Sequence, residues 1–194
     1  MNKKYFGKIV FGNFWRMNVG LLSSLLLLVL SCNTIEKKTM LSFSSKNFLI
    51  GKNLKETQLI KESKEVRQVL DSLILGILEN DKTVFLDCVE KESGVFLDVK
   101  GFWTFEEWKL ELEKEPNYLS THFWRKKSFW DFSSKKTLEE VLKNSNGVFW
   151  EIYWDDLAHA EAHIKLLGNE KEESYFTNAE LFKKSGKWWV KRLF

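Results

Sequence analysis

The sequence predicts an α+β fold in which N-terminal helices pack on an antiparallel sheet that ends in a C-terminal β-meander. Two observations predict it. Apolar residues recur at helical spacing between residues 66 and 78, whereas residues 148–194 consist of aromatic or alternating runs separated by short polar turns. The 194 residues are enough for one domain with a sizeable core, and no Pro/Gly-rich linker marks a second domain.

The chain starts with a basic segment followed by a short apolar run. Residues 1–20 carry four basic residues and no acidic one, and Leu21–Leu30 is apolar apart from Ser23 and Ser24. This order is typical of an export signal, and the run is shorter than the roughly 20 apolar residues that cross a bilayer. We predict a signal peptide over residues 1–31, with a permanent membrane span as the alternative.

The signal ends on Val29-Leu30-Ser31-Cys32, which resembles the lipobox of bacterial lipoproteins. Leu30 stands where a small residue is more usual, a relaxed pattern similar to that of spirochaetal lipoproteins. The resemblance implies that Cys32 is lipidated and becomes the first mature residue, and a multiply acylated cysteine holds a domain stably at a membrane. We expect a lipid-anchored protein of the cell envelope, on its periplasmic or surface side. The alternative is an ordinary cleaved signal that leaves Cys32 as a plain thiol.

Removal of the signal changes the charge of the chain. The full sequence has a formal charge of +3, from 30 basic and 27 acidic residues, and the signal holds four of the bases. The mature chain is therefore close to neutral, and its charge gives no argument for a nucleic-acid partner. If Cys32 is acylated, Cys88 has no disulfide partner, and its apolar neighbours predict a small buried side chain.

Residues 32–57 are interpreted as the lipidated cysteine and a flexible tether, because this segment is polar with scattered apolar residues. For residues 40–50 an edge strand is the alternative. The single α+β domain is assigned to residues 58–194.

The clearest helix carries an apolar stripe from Val66 to Leu78 and ends at Asn80-Asp81. A shorter helix is predicted over Thr83–Glu90 and a strand over Val95–Val99. The starts of two further helices are predicted by capping-box pairs, Thr104 with Glu107 and Thr137 with Glu140. Four C-terminal runs are predicted to be strands: Val148–Trp154, Leu157–Leu167, Tyr175–Lys183 and Lys187–Phe194.

The order of long helix, short helix, strand, helix and C-terminal meander resembles the nuclear transport factor 2-like superfamily, also called SnoaL-like or ketosteroid-isomerase-like. The segment from Lys183 to Arg192, with its Ser185-Gly186 turn, looks like the closing hairpin of that superfamily. The resemblance covers residues 59–194. It implies a curved sheet that wraps the helices into a cone, inside which an Asp, His or Tyr does acid–base work in the enzymes.

The run His159-Ala-Glu161-Ala-His163 is the first candidate site. In a strand its three polar side chains share one face, with the histidines about 13 Å apart, too far to share a metal ion. In a helix the histidines would lie one turn apart, at metal-pair spacing. We favour the strand because neighbouring runs are strand-like, and we interpret the face as solvated, with an acid–base or metal site as the alternative. No metal or cofactor is predicted.

Further acid–base candidates lie within or beside apolar runs: Asp87, Asp98, His122 and Tyr175. The superfamily resemblance implies such a role for residue types of this kind, but no motif of those enzymes is matched. We therefore interpret each of the four as an ordinary surface or edge-of-core polar group, with the acid–base role as the alternative. The chain also lacks a phosphate-binding glycine loop, a CxxC pair and a nucleophile-elbow sequence.

Aromatic doublets are the third feature: Phe102-Trp103, Phe123-Trp124, Phe129-Trp130, Phe149-Trp150, Tyr153-Trp154 and Trp188-Trp189. Within a strand, a doublet places one ring on each face of the sheet, and the outer rings need a helix, a second subunit, a ligand or a partner protein as cover. We predict a homodimer through the outer sheet face. Trp150, Trp154 and Trp188 are candidate stacking platforms for an apolar or sugar-like ligand.

These observations favour a lipid-anchored envelope protein whose non-catalytic domain binds a small ligand or an envelope protein. The alternative is a small lyase, isomerase or hydrolase that uses an Asp, His or Tyr acid–base group. A structural or adhesive surface protein is a third possibility if no pocket exists.

Overall fold

The computed structural model describes residues 41–52, 54–97, 101–124 and 136–193. Several predicted features lie outside these ranges: the signal peptide over residues 1–31, Cys32, Asp98 and the doublet Phe129-Trp130. No helix among the described residues combines the length and the apolar character that a membrane span needs.

Seven strands of the described chain form one curved, open sheet. They are β1 (Ser42–Leu49), β2 (Val95–Leu97), β3 (Gly101–Trp103), β4 (Gly147–Trp154), β5 (His159–Leu167), β6 (Ala179–Lys184) and β7 (Lys187–Leu193). Their order across the sheet is β1-β4-β5-β6-β7-β2-β3. The predicted α+β class and C-terminal meander are confirmed. The sheet is mixed rather than purely antiparallel, because β1 runs parallel to β4 and β2 runs parallel to β7.

Every helix of the described chain lies between two strands in the sequence. They are α1 (Glu56–Glu79), α2 (Lys82–Asp87), α3 (Phe105–Glu113), α4 (Tyr118–His122), α5 (Leu138–Lys143) and a 3₁₀ turn (Glu170–Tyr175). Both predicted capping boxes are present at the starts of α3 and α5. Tyr175 was predicted to begin a strand but ends the 3₁₀ turn, which Glu173 holds to β5 by accepting a hydrogen bond of 3.0 Å from the Leu166 N–H.

Helix α1 covers the inner face of the sheet with its predicted apolar stripe. Val66, Leu70 and Ile77 are fully buried in a core shared with the inward side chains of β4 to β7. The helix ends where predicted, because Asn80 adopts a left-handed conformation and the Asp81 side chain caps α2. Burial of this one stripe therefore orients α1 against the sheet.

Strand β1 forms one edge of the sheet, as in the edge-strand interpretation of residues 40–50. Arg67 on α1 donates a hydrogen bond of 3.0 Å to the Phe43 carbonyl. The segment interpreted as a tether thus contains a strand of the sheet, and α1 begins at Glu56. All buried core residues of the described chain lie between Leu59 and Leu193, with Leu41 and Phe43 packed against them. A segment of residues 33–194 therefore contains the whole described domain.

Candidate functional site

Seven side chains in cross-strand register cross the outer face of the sheet, one from each strand. We call this set the outer-face row; from β3 to β1 it is Phe102, Phe96, Arg192, Glu180, Glu161, Tyr153 and Phe48. All seven are half-buried or exposed, whereas their neighbours on β2, β4, β5 and β6 point into the core. The row is about 29 Å long at the usual strand spacing of roughly 4.8 Å.

Aromatic pairs form both ends of the row. Phe48 and Tyr153 stack with ring centroids 4.8 Å apart and an interplanar angle of 13°. At the other end Phe96 and Phe102 lie 5.0 Å apart and are 40 % and 50 % exposed. Exposed rings of this size, paired and aligned, are typical of surfaces that bind other molecules.

Charged side chains form the middle of the row. Glu161 and Glu180 are direct cross-strand neighbours, an arrangement of like charges that destabilises a sheet unless a cation bridges them. Arg192 is that cation, with its guanidinium 2.8 Å from Glu180 and 3.9 Å from Glu161. Asn178 donates a hydrogen bond of 2.6 Å to Glu161. Lys191 adds a second cation 3.3 Å from Glu180, so the middle is a network of paired charges.

The predicted strand for the His159–His163 run is confirmed, since exposed and buried residues alternate along β5. Both histidines and Glu161 point outward, but each histidine has its own carboxylate. His159 lies 2.9 Å from Asp156, and this hydrogen bond lowers the pKa of Asp156. His163 lies 3.1 Å from Glu161 and packs on the Tyr153 ring at 4.6 Å. Among the described residues no group of His, Cys, Asp and Glu has the geometry of a metal site.

The doublets within strands place one ring on each face, as predicted. Trp150, Trp154 and Trp188 point inward and are 0 to 2 % exposed, whereas Phe149 and Trp189 are half-exposed on the outer face. The interpretation of Trp150 and Trp154 as stacking platforms is therefore corrected: both are core side chains. Their indole N–H groups are used inside the domain, since Trp150 donates to Asp71 at 2.9 Å and Trp154 donates to Asn47 at 3.0 Å.

His122 and Tyr175 lie on separate elements. His122 is exposed on α4, with its ring 4.6 Å from Tyr118, and Tyr175 is 38 % exposed at the end of the 3₁₀ turn. Neither lies on β5 with Glu161 and the two histidines. These acid–base candidates are thus distributed over three elements.

A groove of about 480 Å³ lies between α1, α2 and the β6–β7 turn. Six of its lining residues show its mixed character: Glu65, Val69, Val84, Asp87, Lys187 and Trp188. Trp188 is thus the one predicted platform that reaches a cavity, although it is 2 % exposed. Cys88 also lines the groove as a free thiol, and burial raises its pKa to about 12. It is the small buried side chain that the sequence predicted.

Two carboxylates on α1 were not singled out from the sequence. Glu62 accepts hydrogen bonds from Lys183 and Trp188, and Asp71 accepts one from Trp150. Burial raises the pKa of Asp71. For Glu62 burial acts in the same direction, but the hydrogen bonds from Lys183 and Trp188 outweigh it and lower its pKa. Both carboxylates join α1 to the sheet by accepting hydrogen bonds from tryptophan N–H groups of the core.

Comparison with known proteins returns no relative: no family model, no curated protein and no solved structure matches this chain. The resemblance to the nuclear transport factor 2-like superfamily stays a prediction. The described residues define an α+β domain whose sheet carries helices on its inner face and the outer-face row on the other.

Proposed function

We propose that this protein is a lipid-anchored component of the cell envelope whose α+β domain binds another protein chain through the outer-face row. The observation that carries the proposal is the row itself: paired aromatic rings flank a charged network, in register across the whole sheet. Tyrosine, phenylalanine and arginine are the residues enriched where protein interfaces bury their central contacts. A solvated structural surface would not need aligned rings at both ends.

The lipid anchor is supported by the basic segment, the short apolar run and Cys32. Replacement of Cys32 by Ser removes the thiol that lipidation needs, so the protein should leave the membrane fraction or be mislocalised. Cys88→Ser is the matched control, because it is the same substitution at a buried thiol and should leave membrane retention unchanged. Unchanged retention of the Cys32→Ser variant would contradict the anchor.

Binding through the row is tested in cells that express the full chain. A photo-crosslinking amino acid at position 96 should capture a protein in a discrete adduct, because Phe96 lies in the row. The control position is Glu106, which is exposed on α3. An absence of adducts from position 96, or the same adducts from both positions, would refute the proposal.

The groove favours a second candidate function, the binding of a small amphipathic ligand. Its volume of about 480 Å³ falls within the range of roughly 300–1,000 Å³ that ligand pockets have. The uncharged dye Nile red is a suitable probe, because the groove has two carboxylates and one ammonium group in its lining and would repel an anionic dye. Ser72→Trp, which fills the groove, should abolish its fluorescence enhancement, and Lys61→Trp should not. Equal fluorescence enhancement in both variants would exclude the groove as the binding site of the dye.

The acid–base alternative receives no support from the described candidates. His122 lies on α4 and Tyr175 ends the 3₁₀ turn, whereas His159 and His163 each pair with a neighbouring carboxylate. We therefore propose binding as the activity of the domain.

A further inference from the structure

We infer that the chain bound by the outer-face row is a second copy of this protein, related to the first by a two-fold axis that runs along β6. This rests on the proposed function, because it names the partner of the same surface. The inference is based on a symmetry in the residue types of the row, which is apparent only when all seven strands are considered together.

The order of chemical types along the row is the same in either direction, apart from an exchange of opposite charges. In the direction from β3 to β1, the types are aromatic, aromatic, base, acid, acid, aromatic and aromatic. In the direction from β1 to β3, they are aromatic, aromatic, acid, acid, base, aromatic and aromatic. When one row is laid on a reversed copy, Arg192 faces Glu161 of the other copy, and this contact occurs twice. Aromatic residues then face aromatic residues at both ends.

The pattern also selects the direction of the axis. An axis along the row would place every residue opposite itself, with Arg192 on Arg192 and Glu161 on Glu161, which costs interaction free energy. An axis parallel to the strands reverses the row and pairs unlike charges. It also keeps the strands of both sheets nearly aligned, as in sheets that pack face to face at an angle of about 30°. Each contact away from the axis is then made twice, as two-fold symmetry requires.

Glu180 is the member of the row that lies on the proposed axis, since three members flank it on each side. Two copies of Glu180 therefore approach each other. Each brings its own cations, because Arg192 lies 2.8 Å and Lys191 lies 3.3 Å from its carboxylate oxygens. The negative charge of Glu180 at the centre of the interface is thus balanced within each copy before the two copies associate.

The test uses two charge reversals in the segment of residues 33–194. In Arg192→Glu and in Glu161→Arg, each homodimer brings like charges together twice, and dimerisation should weaken at least roughly 100-fold. When the two variants are mixed, both contacts pair opposite charges, and a heterodimer should form with close to the wild-type affinity. Sedimentation of each variant alone and of the mixture gives these affinities.

The mixing experiment distinguishes an effect of the substitutions on the interface from an effect on the stability of one copy. Each reversal also breaks the contact between Arg192 and Glu161 inside its own copy, and mixing does not repair that loss. Circular dichroism and thermal unfolding show that each variant is folded. The control is a pair of reversals at an exposed ion pair on α5, Glu139→Lys and Lys143→Glu, which should leave self-association unchanged.

A second measurement determines the direction of the axis with substitutions at the two ends of the row. Phe102→Cys mixed with Phe48→Cys should give covalent dimers with a bismaleimide that spans roughly the 10 Å between stacked sheets. Each variant alone should give few. Covalent dimers of each variant alone would instead indicate an axis along the row and would overturn the inference.

Two further outcomes overturn it: a wild-type segment that remains monomeric at high micromolar concentration, or a mixture that sediments as monomer. If the wild-type segment is monomeric but position 96 captures a different protein in cells, the inference fails and the proposed function stands. If position 96 captures nothing, both fail.

Discussion

The indole N–H of Trp188 donates a hydrogen bond of 2.8 Å to the Glu62 carboxylate, and the same oxygen lies 2.6 Å from Lys183 Nζ. One carboxylate on α1 thus connects the helix to β6 and β7. The Glu62 side chain is 13 % exposed, so solvent screens these contacts little.

Replacement of Glu62 by Ala should therefore lower the free energy of unfolding by roughly 2–3 kcal/mol, because charge-assisted hydrogen bonds are lost and Trp188 keeps a buried N–H without an acceptor. Urea denaturation of the 33–194 segment at pH 7 measures the change. Glu56→Ala, at an exposed position in the first turn of α1, is the control. A loss of less than about 0.5 kcal/mol, the usual size for a surface change, would contradict the role given to Glu62.

The pH dependence of stability should differ between wild type and Glu62→Gln. The pKa of Glu62 in the folded state lies below its ordinary value of 4.5, so the carboxylate contributes stability above that pH, which is lost as the pH falls through the folded pKa. The stability advantage of wild type over Glu62→Gln should therefore shrink below about pH 4.5. Denaturation curves from pH 7 to pH 3 measure it, and an advantage that grows on acidification would reverse the assigned sign.

The contribution of Asp71 to the pH dependence of stability should have the opposite sign to that of Glu62. Burial raises its pKa above the ordinary value of 3.8, so its ionisation costs stability as the pH rises through that range. Asp71→Asn should accordingly lose less stability than wild type between pH 3 and pH 6. The same denaturation curves test it, and parallel curves for the two proteins would show that desolvation of Asp71 is already compensated.

The elements that were predicted correctly depend on local patterns. The apolar stripe of α1, the alternation along β5 and the two capping boxes each need residues within a few positions of one another. The outer-face row depends instead on pairs far apart in the chain, such as Phe48 with Tyr153 in the parallel β1–β4 pairing. Hydrophobic periodicity carries no information on which strands pair, so the row is invisible in the sequence.

Arg192 illustrates a second limit on what can be predicted from the sequence. Strict alternation from the inward Val190 would turn Arg192 inward as well. An irregularity opposite Glu180 and Leu181 adds one residue to β7, and Arg192 turns outward while Leu193 enters the core. A bulge reverses the face of every later residue in a strand, and no residue type marks this one.

Gly94 should tolerate alanine far less well than Gly186 does. Both glycines have positive φ angles, 66° and 77°. A Cβ on Gly94 would lie 2.3 Å from the Trp103 carbonyl oxygen, whereas a Cβ on Gly186 would meet no atom within 4 Å. Thermal unfolding should show a loss of about 1 kcal/mol for Gly186→Ala, from the backbone alone, and a clearly larger loss for Gly94→Ala. Equal losses would mean that β2 and β3 separate freely at Gly94.

Cys88 should resist thiol reagents in the folded protein. Its side chain is 8 % exposed and its pKa is about 12, so almost no thiolate forms at pH 8. Reaction with 5,5′-dithiobis(2-nitrobenzoate) should be slow in buffer and rapid in denaturing urea, in the 33–194 segment, where Cys88 is the one thiol. Rapid reaction in buffer would show that the groove opens at this point.

If Cys32 carries the proposed lipid anchor, the position of β1 limits how far the domain can lie from the membrane. Ten Cα steps separate Cys32 from Ser42, the first residue of β1, so the covalent reach is roughly 35 Å instead of the roughly 85 Å that a tether to residue 57 would allow. Under the proposed dimer, an axis parallel to the strands directs both β1 strands the same way. With the proposed lipid anchors, the two copies would insert into one bilayer through two short connecting segments, and their combined residence time would exceed that of either anchor alone.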